Sequence, residues 1–164
     1  MGVGTVVMKV NRQEQYRALS RRLRDQQRGD LQRKLTRAIR TVGSPALSAA
    51  QAAWRTVDVT PPVGSAGKST GLRARVAAAT RVSILQSGIS IRVEPGKVDP
   101  RYGKSLSYGL DGLGRWRHPV YGNTNVWTQQ YGQEVFFKTL ERFETAWQAG
   151  IEQAMEDTAR QIEG

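Results

Sequence analysis

The stretch from Gly112 to Phe137, GLGRWRHPVYGNTNVWTQQYGQEVFF, decides how the rest of the chain is arranged. It holds two of the four tryptophans, two of the five tyrosines, two of the three phenylalanines and the only histidine, interleaved with glycine and asparagine. Glycine and asparagine tolerate positive backbone angles, and Pro119 pushes His118 towards extended geometry. Large rings give an irregular segment something to pack against. The composition therefore predicts an extended aromatic loop around which the other elements are organised.

The length of 164 residues fits one domain with a single core, which we place at residues 1–164. Within it the sequence predicts a helical arm at 1–57, a linker loop at 58–69 and a body at 70–164. There is no cysteine and only one histidine, which excludes thiolate and multi-histidine metal sites, so no cofactor is expected. No window approaches the 18 apolar residues of a membrane span, and we expect an intracellular protein without a membrane partner.

The net charge of +11 is distributed unevenly along the chain. Residues 1–60 carry 12 Lys and Arg against 4 Asp and Glu, residues 61–120 carry 10 against 3, and residues 121–164 carry 3 against 7. A basic body with an acidic C-terminal segment indicates either a polyanionic partner or complementary contacts between copies of the chain.

The N-terminal half is predicted to be helical, with a short strand at residues 3–10 before it. On a helical wheel the apolar residues up to Leu23 lie on one face, whereas those from Leu31 to Val42 lie on another. Gly29 and Asp30 lie where the face changes, so we expect a break in the helix or a change of packing partner there, with one long, kinked helix as the alternative. Pro45 fits the first turn of a further helix that extends through Trp54.

The second half predicts a small antiparallel sheet followed by a long C-terminal helix. A short alanine-rich helix at residues 70–80 leads into alternating apolar positions from Val82 to Val93, which indicate a hairpin that Pro95-Gly96 would close. Another strand is expected at residues 126–130. From Gln133 apolar side chains recur at three- and four-residue spacing almost to the C-terminus. The fold class is therefore α+β, with N-terminal helices and a long C-terminal helix packed on a small antiparallel sheet.

Four arginines of the first helix form one narrow stripe on the side away from its apolar face: Arg17, Arg21, Arg24 and Arg28. Such a stripe cannot belong to the core. Two hypotheses account for it. Either it is a solvated face or a partner to the acidic helix of a neighbouring copy, or it lies near DNA and contacts phosphates without distinguishing bases.

Motifs that suggest an enzyme fail on spacing or context. In a phosphate-binding loop ending at Gly67-Lys68-Ser69, the first glycine would fall at position 62, which is Pro62. The G-x-S-x-G pattern at residues 67–71 follows a Pro/Gly linker, whereas a nucleophile elbow follows a strand. No motif supplies a carboxylate to orient His118 as a general base, so this histidine is expected to bond to the backbone. We therefore expect a protein without catalytic residues.

The segment Arg115-Trp116-Arg117-His118-Pro119-Val120-Tyr121-Gly122-Asn123, followed by Trp127, Gln130 and the Phe136-Phe137 pair, resembles a known family. It is similar to the neck and tail-completion proteins of long-tailed bacteriophages, the head–tail joining family typified by gene product ten of a lambdoid phage. An N-terminal helical arm, a linker with Pro62 and Gly71-Leu72, a hairpin and this segment occur in the order of that family. The resemblance covers most of the chain.

The resemblance implies a non-enzymatic virion protein that forms a homo-oligomeric ring, six- or twelve-fold, between the DNA-filled head and the tail. Its partners would be other copies, head-completion or adaptor proteins, tail terminator or tail tube proteins, and genomic DNA passing non-specifically through the lumen. It would be made in the host cytoplasm and reside in the virion neck. A tail terminator ring and a basic nucleic-acid-binding protein are the alternatives. The expected docking residues are Arg115, Trp116, Arg117, His118, Pro119, Tyr121, Asn123 and Trp127.

Overall fold

A computed structural model describes residues 5–9, 13–58, 71–85, 88–99, 109–112, 114–120 and 123–163. In chain order the elements are β1 (Thr5–Lys9), α1 (Gln13–Asp25), α2 (Gly29–Thr56), α3 (Leu72–Ala79), β2 (Thr80–Leu85), β3 (Gly88–Val93), α4 (Pro95–Val98), β4 (Arg115–Val120), β5 (Asn123–Tyr131), α5 (Val135–Glu141) and α6 (Glu144–Glu163). The predicted α+β fold class is confirmed. The linker predicted at 58–69 lies, apart from Asp58, outside the described residues.

The predicted break in the first helical segment is confirmed. The helix α1 ends at Asp25 and α2 begins at Gly29. Gln27 adopts a left-handed φ of 54°, and the backbone N–H of Arg28 donates to the carbonyl of Leu23 at 2.8 Å. This turn lets the two helices bury differently oriented apolar faces, as the change of periodicity requires.

Helix α2 forms the centre of the core and packs against α3, α5, α6 and β2. Its buried residues are Leu31, Leu35, Ile39, Gly43, Ala46, Ala50 and Trp54. The prediction that Pro45 begins a new helix is wrong, because α2 continues through it. Pro45 lies on the exposed side, where its missing N–H leaves no buried group unpaired. Packing of the buried face thus outweighs the helix-breaking tendency of one exposed proline.

Three of the described strands form one antiparallel sheet in the order β1-β3-β2. The predicted hairpin is confirmed by the pairing of Thr80 with Val93 and of Ile84 with Ile89. Pro95 does not close this hairpin; it occupies the first turn of α4, where its fixed φ suits a helix start. Strand β1 pairs with the outer edge of β3, so the N-terminal segment joins the sheet.

The predicted long C-terminal helix is confirmed as α6, but the helical segment expected from Gln133 is divided in two. A turn at Arg142 and Phe143 separates α5 from α6, with the N–H of Phe143 donating to the carbonyl of Leu140 at 2.9 Å. Both helices still bury the periodic apolar positions that predict them, including Phe136 and Leu140 in α5 and Trp147 and Ile151 in α6.

Two tryptophans fix these helices on α2. The ring of Trp54 stacks on Phe136 of α5 with centroids 5.2 Å apart. The indole N–H of Trp147 in α6 donates to the carbonyl of Val42 at 2.9 Å. Each contact combines a large buried apolar area with a defined ring orientation. The position of the segment that follows the aromatic stretch is therefore set by α2.

Candidate functional site

The aromatic stretch contains a β-hairpin, which corrects the prediction of an extended loop and confirms the strand expected at residues 126–130. Strands β4 and β5 pair antiparallel, with Arg115 opposite Tyr131 and Arg117 opposite Gln129. A register shift between Pro119 and Val120 marks an irregularity near the tip. Successive side chains of a strand point to opposite faces, so pairing divides the motif residues into two sets. The loop hypothesis treats them as one set.

The outer face is defined here by the exposed side chains of Arg115, Arg117, Trp127, Gln129 and Tyr131. The guanidinium carbon of Arg117 lies 5.9 Å from the ring centroid of Trp127, a cation–π contact. The indole N–H of Trp127 donates to the carbonyl of Thr124 at 2.7 Å, which restrains the ring. The face therefore presents two aromatic rings and two arginines on a regular backbone.

The inner face carries Trp116 and His118, which are only partly exposed, and the buried Thr128 and Gln130. The rings of Trp116 and His118 lie 4.8 Å apart. A side-chain carbon on Gly109 would collide with the Trp116 ring, so the indole packs directly on the backbone there. Trp116 also joins the hydrophobic core. Trp116 and His118 therefore anchor the hairpin and offer less surface to a docking partner than the outer face does.

His118 is partly buried on the inner face of the hairpin. Burial lowers its pKa, and the Pro119 carbonyl, 3.1 Å from Nδ1, opposes this only in part. With Nδ1 donating to that carbonyl, Nε2 is left without a hydrogen-bond partner among the described residues. The predicted bond between the histidine and the backbone is therefore confirmed, and no carboxylate in the described part of the chain orients the ring for proton transfer.

The base of the hairpin is clamped to the body by residues that flank it. The N–H of Gly132 donates to the carbonyl of Gly114 at 3.1 Å, and the N–H of Gln133 donates to that of Leu110 at 3.0 Å. The Gln133 side chain pairs with the backbone of Asp58 through two contacts of 3.4 Å. The hairpin thus projects from a fixed base.

Asp111 completes this clamp. Its carboxylate accepts from the N–H of Phe136 at 2.7 Å and from that of Phe137 at 3.3 Å, so it caps the first turn of α5 from 25 positions earlier in the chain. Burial raises its pKa to about 6, although both N–H donors stabilise the charged form. Nothing in the sequence indicates this role for Asp111, because the capping partner is distant in the chain.

The most exposed large apolar side chains of the described residues lie in one stretch, 126–137. Tyr131 is 57% exposed, Phe137 52%, Trp127 48% and Val126 44%. Exposed apolar residues scattered over a surface need no explanation, but a concentration on one hairpin and the helix after it indicates an interaction surface.

The arginine stripe of α1 lies along a second surface feature. Arg17, Arg21 and Arg24 line an open groove between α1 and α2 with a volume of about 1060 Å³. Arg28 does not line it, because α1 ends before Arg28, which forms the N-cap of α2. Arg40 of α2 lines it instead. The predicted stripe is thus partly brought together by the fold and is extended by a residue from the next helix.

The eight predicted docking residues separate accordingly. Arg115, Arg117 and Trp127 lie on the outer face; Trp116 and His118 lie on the inner face, and Pro119 is buried. Asn123 begins β5, where only its backbone is described, and Tyr121 lies outside the described residues. The prediction misses Gln129 and Tyr131. The alternation of exposed and buried positions along β5 indicates both once the segment is recognised as a strand.

Neither a metal centre nor a membrane span is found in the described part of the chain. No group of three or more histidine, cysteine, aspartate or glutamate side chains is placed there to hold a metal ion. None of the helices in those residues is both long and apolar enough to cross a bilayer. The Gly67-Lys68-Ser69-Thr70 motif lies outside them. Comparison of the chain with models of protein families, with curated proteins and with solved structures finds no match.

Proposed function

We propose that this chain is a ring-forming structural protein of the neck of a long-tailed phage, where it joins the DNA-filled head to the tail and catalyses no reaction. The observation that carries the proposal is the outer face of the hairpin, with its exposed Trp127 and Tyr131 beside Arg115 and Arg117. Tryptophan, tyrosine and arginine are the side chains that most often dominate the energetics of protein interfaces.

The construction of the hairpin suits a docking role. Its inner face is fixed by Trp116 against Gly109, and its base by the contacts of Gln133 and Asp111. A surface held in one conformation loses little conformational entropy on binding, so more of its contact energy appears as affinity. The resemblance of residues 115–123 to neck and tail-completion proteins supports the assignment of this surface to a virion. Its partners there would be head-completion or adaptor proteins on one side and tail terminator or tail tube proteins on the other.

Self-association into a ring would use the charge asymmetry of the chain. The N-terminal helices are basic and exposed, and α6 exposes Glu144 and Glu163. Opposite charges at different places on one molecule favour a head-to-tail contact, which closes into a ring when the rotation between copies permits. Within one chain α1 also lies beside α6, in a cleft where Gln15 and Leu19 meet Glu152 and Glu156. The contact between copies must therefore use the parts of both helices that face away from this cleft.

The test is the mass of the purified protein by light scattering, combined with negative-stain electron microscopy. We expect closed rings with a central opening, and dissociation as salt rises, because screening weakens exposed ion pairs. A monomer at low salt and high protein concentration, with separated heads and tails also present, contradicts the proposal.

The same images distinguish the alternatives. A tail terminator would cap isolated tails when no heads are present, whereas a neck protein would be found on heads or between heads and tails. A nucleic-acid-binding protein outside any particle is favoured by one observation only, the arginine groove. It would remain monomeric and would decorate neither structure.

A further inference from the structure

The groove between α1 and α2 has the chemistry of an anion site. Among the described residues, its charged lining consists of Arg17, Arg21, Arg24 and Arg40 against a single acid, Glu14. Within the described part of the chain, none of these arginines forms an ion pair with an acidic side chain. Four cations around one concave surface repel each other, and a bound anion would relieve that repulsion.

A second, independent observation concerns two polar side chains that line the same groove. Ser20 is only 8% exposed, and its buried Oγ has no hydrogen-bond partner in the described structure. The buried Oε1 of Gln32, another groove residue, also lacks one among the described residues. Buried polar atoms are almost always hydrogen-bonded in folded proteins. Rotation of the Ser20 side chain about χ1 would bring its hydroxyl to the groove, where a ligand oxygen would satisfy it, and exchanging the amide O and N of Gln32 would add a second donor.

We propose that this groove binds the phosphodiester backbone of a nucleic acid, with Arg17, Arg21, Arg24 and Arg40 contacting phosphate oxygens and Ser20 donating its hydroxyl to one of them. The planar guanidinium matches the oxygens of phosphate in a two-pronged geometry. The α1 arginines are spaced four and three residues apart, which places them along one side of the helix. This arrangement suits a polymer of regularly spaced charges. Tyr16 is the aromatic side chain among the described lining residues, and it is buried, so stacking on bases and a sequence preference are not expected.

The acidic helix of a second copy is the less favoured occupant. On α6, Asp157 is already engaged by Arg160 and by Gln153. Glu152 and Glu156 line the cleft against Gln15 and Leu19, on the opposite side of α1 from the groove. Few of its acids are therefore left to meet four arginines. The inference does not depend on a role in a phage neck, because among the described residues the groove is lined by α1, α2 and Ile84 of β2.

The chain contains a charge-matched control. Arg22, Arg28, Arg33 and Arg37 are exposed on the same two helices or the turn between them, and none lines the groove. Replacing these four by glutamine lowers the net charge by as much as replacing Arg17, Arg21, Arg24 and Arg40. Any difference between the two quadruple variants therefore reports the position of the charges and not their number.

The experiment measures binding of the full-length protein to a fluorescent duplex oligonucleotide of arbitrary sequence across a range of salt concentrations. For the wild type the logarithm of affinity falls linearly with the logarithm of salt concentration. The groove variant should flatten this slope by about 3 to 4, roughly 0.9 for each phosphate that is no longer neutralised, and the control variant by less than about 1. Ser20→Ala should weaken binding by about tenfold with the slope unchanged, because it removes an uncharged donor to an anion.

Thermal unfolding without oligonucleotide supplies the second readout. Ser20→Ala should leave the melting temperature unchanged or slightly raised, because it removes an unpaired buried hydroxyl. Should the quadruple groove variant fail to fold, the single change Arg21→Gln takes its place, with an expected flattening of about 1.

Three outcomes overturn the proposal. Equal flattening of the slope in both quadruple variants would show that the duplex is attracted by the net charge of the protein and not by the groove. An unchanged duplex affinity of the groove variant would show that the groove does not bind the duplex. Tight binding of a peptide spanning residues 144–163 to the wild type and not to the groove variant, together with no measurable duplex binding, would assign the groove to a second copy.

Discussion

The indole ring of Trp116 lies on the backbone of Gly109, in space that any larger residue at position 109 would need. This contact joins the inner face of the hairpin to the helical turn at residues 109–111. The two tryptophans of the motif therefore have different roles: Trp116 anchors the hairpin, whereas Trp127 is about half exposed on the other face.

Trp116→Ala and Trp127→Ala should therefore differ in stability. Trp116→Ala removes a ring packed against the core and should lower the free energy of unfolding by on the order of 3 kcal/mol. Trp127→Ala should change it by less than about 0.5 kcal/mol. Urea denaturation measures both. Equal losses would show that the hairpin's two faces are not distinguished as described.

The outer face should be needed for assembly and not for folding. Supplied to heads and tails made without this chain, the variant Trp127→Ala/Tyr131→Ala should reduce the number of joined particles by about tenfold or more, since centrally placed aromatic side chains dominate interface energetics. Arg115→Gln/Arg117→Gln should act in the same direction. The charge-matched pair Arg55→Gln/Arg142→Gln, exposed elsewhere, serves as the control. Full joining activity in both outer-face variants would show that the outer face is not needed for assembly.

Titration of Asp111 should make the free energy of unfolding depend on pH. Its pKa in the folded protein is raised to about 6 from an ordinary value of 3.8, mainly by burial, so the folded state holds the proton more tightly than the unfolded state. Stability contributed by this group is therefore highest at low pH, falls between about pH 4 and pH 6, and is constant above that.

Asp111→Asn should abolish this contribution while keeping an oxygen that accepts from the N–H of Phe136, whereas Asp111→Ala should remove the cap and cost about 0.5–2 kcal/mol. The measurement is the difference in unfolding free energy between wild type and Asp111→Asn from pH 3.5 to pH 7, which cancels the other titrating groups. A difference that is flat, or that grows in favour of the wild type as pH rises, would contradict the assignment.

The crossing of α2 and α6 depends on a missing side chain. A Cβ at Gly150 would lie 2.7 Å from Val42 Cγ1 and 2.9 Å from Cγ2. Valine is branched at Cβ and cannot easily turn away. Gly150→Ala should thus destabilise the protein by about 1–2 kcal/mol, although alanine favours helix. In a Val42→Ala background the same change should stabilise by up to about 1 kcal/mol. A double-mutant cycle with no such change of sign would show that a side chain at position 150 does not collide with Val42.

Much of this fold could be predicted from periodicity. The break before Gly29, the short helix ending at Ala79 and the pairing of β2 with β3 each follow from local patterns of apolar residues and helix-breaking residues. The continuation of α2 through Pro45 and the turn at Arg142 could not be predicted in this way. In both places local propensity competes with the burial of neighbouring side chains on α2, which no local window contains.

The candidate site could be predicted in location and not in arrangement. The density of rings and arginines identifies residues 114–127, but a loop hypothesis gives no rule for which side chains are exposed. Strand pairing supplies that rule, because it places Trp116 inward and Arg115 outward. Likewise the arginine stripe is visible on a helical wheel, whereas the participation of Arg40 and the exclusion of Arg28 depend on how α2 packs beside α1.

The most direct test of the proposed function is electron microscopy of the particles made after the coding sequence is deleted from the phage genome expected to carry it. A neck protein that joins head to tail predicts separate DNA-filled heads and separate tails, with joined particles restored when the wild-type chain is supplied and not when Trp127→Ala/Tyr131→Ala is supplied. Complete, infectious virions from the deletion would contradict the account.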